Sequence, residues 1–116
     1  MKFELIINSE GLDMYGNVPC LPVTDIDGIG ERFVGEESDS WALLEDFVAG
    51  IDPICHNVLD YGDVDYFDSQ QCAVIKEWLT ARMKKDMTPR LRYLYEILLD
   101  YLSRAIELGT GVVVEL

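Results

Sequence analysis

The segment from Thr88 to Leu116 constrains this chain more than any other, because it dictates a long helix followed almost at once by a strand. Thr88 offers an N-cap hydroxyl, and Pro89 stands at the first helical position, where its missing amide hydrogen does no harm. From Pro89 to about Leu108, Leu91, Leu94, Leu98, Tyr101, Leu102 and Ala105 recur every three or four residues and form a wide apolar face; Gly109 ends the run. Val112-Val113-Val114-Glu115-Leu116 is then a β-branched strand. A terminal strand is ordered only when paired, and its natural neighbour is the opening segment Lys2–Asn8, where Phe3, Leu5 and Ile7 share one face. The Glu4 face of that segment suits a sheet edge at best.

Two further helices follow from local signals. Ser38-Asp39-Ser40 provides capping oxygens before Trp41, Leu43, Leu44, Phe47 and Val48, predicting a helix over 40–49 that Gly50 and Pro53 stop. Leu44, Phe47 and Val48 should face inward, with Glu45 and Asp46 outside. Asp68 and Gln71 form a capping arrangement for a helix over 69–85, with Cys72, Ile75, Leu79 and Met83 as its stripe and Trp78 beside it. On the last helix, Arg92 with Glu96 and Asp100 with Arg104 stand four apart and should pair. Residues 9–37 hold five of the nine glycines and two of the four prolines, which reads as loop with short extended pieces such as 31–34. The pattern predicts an α+β fold, three helices packed on a small sheet that pairs the N-terminal and C-terminal strands. A length of 116 residues fits one acidic domain over 1–116.

Charge is divided unevenly along that domain. Residues 1–68 carry sixteen Asp and Glu against Lys2 and Arg32, a net of −14, whereas residues 69–116 carry seven basic residues against six acids, a net of +1. Such a field attracts a basic surface and repels nucleic acid and anionic membrane. With 49% hydrophobic residues the acid decorates a folded body, since disorder needs low hydrophobicity as well as charge. Three cysteines, Cys20, Cys55 and Cys72, are odd in number and widely spaced, which predicts reduced thiols and a cytoplasmic home. The short run Leu5-Ile6-Ile7 lacks the length and flanks of a signal peptide, and no stretch approaches a membrane span.

The densest acidic stretch, Asp60-Tyr61-Gly62-Asp63-Val64-Asp65-Tyr66-Phe67-Asp68, is the candidate site. Its rings can anchor a contact while its carboxylates pair with basic groups, so Asp60, Tyr61, Asp63, Asp65, Tyr66 and Asp68 are the expected partner-binding residues. Alternatively the segment is a strand that packs Tyr61 and Phe67 on the core. A third possibility is a hard divalent cation on the four aspartates, although neither this stretch nor Asp25-Ile26-Asp27-Gly28 has the spacing of a calcium loop. No catalytic residue emerges. His56, the single histidine, lacks an evident partner, the cysteines lack zinc spacing, and Cys72 sits on an apolar stripe. Gly28-Ile29-Gly30 lies among Asp25, Asp27 and Glu31, which would repel a phosphate. Arg82, Lys84, Lys85, Arg90 and Arg92 form the one basic concentration. They read as an internal counter-charge, or as the surface through which two copies meet in a homodimer.

Residues 66–116, with Tyr66-Phe67-Asp68-Ser69-Gln70-Gln71 opening one helix and Ala105-Ile106-Glu107-Leu108-Gly109-Thr110-Gly111-Val112-Val113-Val114-Glu115-Leu116 closing the chain, resemble small bacterial proteins, some of them similar to immunity proteins of polymorphic-toxin systems. The resemblance implies a small, acidic, cytoplasmic protein without enzymatic activity or cofactor, which neutralises a basic protein partner such as a toxin domain by covering its surface. No binding residue is carried over by motif. The competing expectations are a metal-dependent protein or enzyme using 60–68, and a structural or assembly subunit.

Overall fold

The computed structural model describes residues 1–55 and 59–116. In chain order it contains β1 (Lys2–Ile6), β2 (Asp13–Tyr15), β3 (Val18–Cys20), β4 (Gly30–Val34), α1 (Glu37–Leu43), a π-helical turn (Leu44–Val48), α2 (Ala49–Cys55), β5 (Val64–Phe67), α3 (Ser69–Arg82), α4 (Pro89–Leu108) and β6 (Val112–Glu115). The fold is α+β, with three helical rods against a four-stranded antiparallel sheet of order β4-β1-β6-β5. Its two central strands come from the two ends of the chain, with Phe3 opposite Val114 and Leu5 opposite Val112.

The central position of β1 corrects the expectation of an edge on its Glu4 side. Glu4 is buried and lies opposite Arg32 of β4, whose Nε donates to it at 2.6 Å. The same guanidinium donates to the carbonyls of Pro22 and Val23, so one arginine neutralises the acid and fastens the loop before β4 to the sheet. A paired charge is tolerated in such a place where a lone one is not.

Phe3, Leu5, Phe67, Val112 and Val114 point to the helical side and join Leu94, Leu98 and Ala105 of α4 with Ile75 and Leu79 of α3 in the main core. Each such side chain, once buried, contributes about 1.5–3 kcal/mol of transfer free energy. On the other side of the sheet Ile6 and Val113 meet Val18 of a β2–β3 hairpin and Leu21 just after it, within the stretch whose glycines and prolines predict mostly loop. The unbroken Val112–Val114 run follows from this, because a strand covered on both faces has no polar alternation.

Helix α4 has the bounds its caps predict. Thr88 Oγ1 accepts from the Leu91 amide and Gly109 takes the left-handed conformation, φ +68°. Helix α3 opens with the expected capping box between Asp68 and Gln71 and ends at Arg82, three residues short of 85. Asp100 pairs with Arg104, whereas Arg92 turns away from Glu96 and donates to the Met83 and Lys85 carbonyls, closing the end of α3.

The first rod departs furthest from expectation. It begins at Glu37, where Asp39 occupies the third helical position and its carboxylate accepts from the Glu36 amide at 2.8 Å. The π turn shifts the helical phase, so Leu43, Phe47, Val48 and Ile51 are buried, Leu44 only partly, and Trp41 faces outward. Neither Gly50 nor Pro53 stops the rod, which runs to Cys55. Gly50 serves a close approach instead: a Cβ there would stand 2.1 Å from the Trp78 ring. Pro53 lies inside the helix and costs it the bond to the Ala49 carbonyl.

Candidate functional site

The six expected contact residues do not share one surface. Asp60, Tyr61 and Asp63 belong to a tight exposed turn, closed by the Asp63 amide on the Asp60 carbonyl and by the Asp60 amide on the Asp63 carboxylate, both at 3.0 Å. Gly62 supplies the φ of +85° that this turn requires. The turn is tied to the sheet where Leu116 donates to the Asp63 carbonyl. Asp65 and Tyr66 are adjacent on β5 and therefore point to opposite faces. Tyr66 packs at the hairpin side, half-buried, where burial raises its phenol above the usual range. Asp68 caps α3, its Oδ1 accepting from the Gln71 amide at 2.9 Å. The alternative of Tyr61 and Phe67 alternating inward holds for Phe67 alone.

Tyr61 finds a partner that the sequence pattern concealed. Its ring lies flat on Trp41 of α1, centroids 4.8 Å apart and planes within 6°, yet Trp41 is 51% and Tyr61 46% exposed. The Tyr61 hydroxyl donates to Glu37 Oε1 at 3.1 Å, a bond that holds the carboxylate beside the rings and raises the phenol pKa. Glu37 stands one helical turn before Trp41, which puts both on the same stripe of α1. That stripe is the signal the sequence did carry: Glu37, Trp41 and Glu45 at intervals of four mark Trp41 as outward. The result is two large half-exposed rings beside the Glu37 carboxylate, with Asp60 and Asp63 in the same turn as Tyr61.

The arginines of the α3–α4 region are already engaged. Arg82 grips both carboxylate oxygens of Asp46 in the π turn, and the buried Tyr95 hydroxyl donates to the same carboxylate. Burial, and then that bond, push the Tyr95 phenol far above its usual pKa. Arg90 forks onto Asp39 at 3.0 and 2.7 Å and covers the Tyr93 ring, and Arg104 bonds Glu31. Four acids of the N-terminal part, Glu4, Glu31, Asp39 and Asp46, are thus neutralised by arginines, while Glu37, Glu45, Asp60 and Asp63 remain at the surface.

A concavity of about 540 Å³ lies between the hairpin and the sheet, with Val64 and Val113 among its lining. Its charged groups are paired, Lys2 with Glu115 and Arg32 with Glu4. Among the described residues no group of three or more Asp, Glu, His or Cys is placed to hold a metal ion. The aspartates of 60–68 serve the backbone: Oδ1 of Asp60 accepts from Tyr61 and Oδ1 of Asp65 from Tyr66, in addition to the Asp63 and Asp68 bonds above. His56 lies outside the described residues. Cys72 is buried, donates to the Phe67 carbonyl and has its thiol pushed up to about 12 by burial, so it is no nucleophile at neutral pH. Comparison of the chain with protein-family models, curated proteins and solved structures found no match.

Proposed function

We propose that this protein is a non-catalytic acidic binding module, an inhibitor or immunity protein that neutralises a basic protein partner such as a toxin domain. The observation that carries the proposal is the Trp41–Tyr61 stack, half exposed and rimmed by Glu37, Asp60 and Asp63. Aromatic rings held flat in solvent supply contact area at little entropic cost, and the surrounding carboxylates select a basic surface and speed its approach. Asp65, Tyr66 and Asp68 act behind this contact, holding β5 and the start of α3.

The internal pairing of Arg82 and Arg90 favours a monomer over a dimer built on the basic turn. The three unbridged cysteines support a reducing, cytoplasmic setting, and no helix among the described residues is long and apolar enough to cross a membrane. The test is a binding measurement against any basic protein encoded beside this one. A 1:1 complex should form, its association should slow as salt rises, and Trp41→Ala or Tyr61→Ala should weaken it at least about tenfold, as hot-spot truncations do. Binding unchanged by both substitutions refutes the site. A rise in melting temperature with Ca²⁺ or Mg²⁺ that Asp60→Asn and Asp63→Asn abolish would instead support the metal-dependent reading.

A further inference from the structure

The chemistry of the stack specifies which partner group it takes, an inference that rests on the binding role just proposed. We infer that the anchor on the partner is an arginine, its guanidinium laid over the Trp41–Tyr61 rings and forked onto Glu37.

Three observations converge on that group. The rings are nearly parallel and cover each other on one side, while about half of each residue still meets solvent, so a flat cation can extend the stack. A guanidinium is planar, weakly hydrated and favoured on aromatic faces, whereas an ammonium is a compact, strongly hydrated point charge. Glu37 is fixed beside the rings because Tyr61 occupies one lone pair of Oε1, leaving most acceptor positions of the carboxylate open to an incoming fork. Finally, the chain uses the same combination internally: Arg90 lies 5.3 Å from the Tyr93 ring centre while forking onto Asp39. Asp60 and Asp63 add charge of the same sign around the stack and discourage a phosphate or carboxylate ligand.

The probe is a capped peptide of three Arg-Gly-Ser repeats, titrated into the full-length protein at fixed ionic strength beside its Lys-Gly-Ser counterpart. Binding is read from the Trp41 indole N–H resonance, assigned with Trp41→Phe. The arginine peptide should shift that resonance and bind about tenfold more tightly than the lysine peptide. Tyr61→Leu and Glu37→Gln should each erase the preference while leaving a weak, salt-sensitive affinity common to both peptides. Equal affinities, an unmoved Trp41 indole or no binding of either peptide would each overturn the arginine anchor. If the natural basic partner then still loses affinity on Trp41→Ala, the binding role stands and only its anchor is reassigned; if it does not, the role falls as well.

Discussion

Replacing Asp39 should reveal how strongly the acidic part of the chain is held to its helical half. The Asp39 side chain is 3% exposed, accepts from the Glu36 amide at 2.8 Å and receives the two-pronged bond from Arg90. Asp39→Ala removes a capping interaction worth about 1 kcal/mol. It also removes charge-assisted hydrogen bonds worth about 1.5–3 kcal/mol, of which the low end applies because Arg90 is half exposed and regains water. The sum is about 2–3 kcal/mol, or roughly 10 °C in melting temperature for a domain of this size. Asp39→Asn keeps the capping oxygen and the volume, so it should lose only about 1–2 kcal/mol. Arg90 holds the Asp39 carboxyl below its ordinary value of 3.8, so this contribution is complete above about pH 4 and disappears as pH falls through the depressed folded value. The wild type should therefore lose stability below pH 4 more steeply than Asp39→Asn, and the two should converge in acid. Urea unfolding between pH 2 and 7, closed into a cycle with Arg90→Ala, measures both effects. A loss below about 0.5 kcal/mol at pH 7, or a coupling with Arg90 near zero, would refute the reasoning.

Gly50→Ala should destabilise by about 1–3 kcal/mol in urea unfolding, although helix propensity alone favours alanine by about 1, because the new methyl collides with Trp78. Trp41→Ala and Tyr61→Ala should each change stability by no more than about 1 kcal/mol, since both residues are half exposed; a larger loss would make the stack structural. In a thiol-reagent titration Cys20 should react first and Cys72 only on unfolding, because Cys20 is exposed while Cys72 is buried with its thiol raised to about 12; a fast Cys72 in the native protein would contradict that burial.

What the sequence made legible was local. Thr88-Pro89, Gly109 and the Asp68–Gln71 box act over three or four residues, and the helices they bound appear where they predict. The pairing of β1 with β6 was legible because each is an apolar strand that buries its side chains and is ordered only when paired. The rest depends on groups far apart in the chain: Asp46 and Arg82 are 36 positions apart, Asp39 and Arg90 51, and Glu31 and Arg104 73. The π turn has no pattern of its own, so its place in the first rod was hidden, although the Glu37–Trp41–Glu45 spacing marks Trp41 as outward. At the site, Asp60, Tyr61 and Asp63 fall in one exposed turn, while strand alternation separates Asp65 from Tyr66.

The arginine pairings also alter the meaning of the charge asymmetry. Arg32, Arg82, Arg90 and Arg104 each neutralise an acid where the N-terminal segment meets the sheet or the helices, so their positive charge is consumed inside the fold. The net −13 is therefore carried by carboxylates that face water, Glu37, Asp60 and Asp63 among them. Internal pairing lowers the cost of burying acid without adding basic surface that would compete for the same carboxylates. On the proposed binding role, a basic partner approaching the Trp41–Tyr61 stack would meet Glu37 and the Asp60–Asp63 turn, whose charge would speed encounter, while the rings would supply the short-range contact that slows release. Substituting rim acids should act mainly on the association rate and substituting the rings on dissociation, and a partner whose kinetics showed the reverse would require a different contact surface.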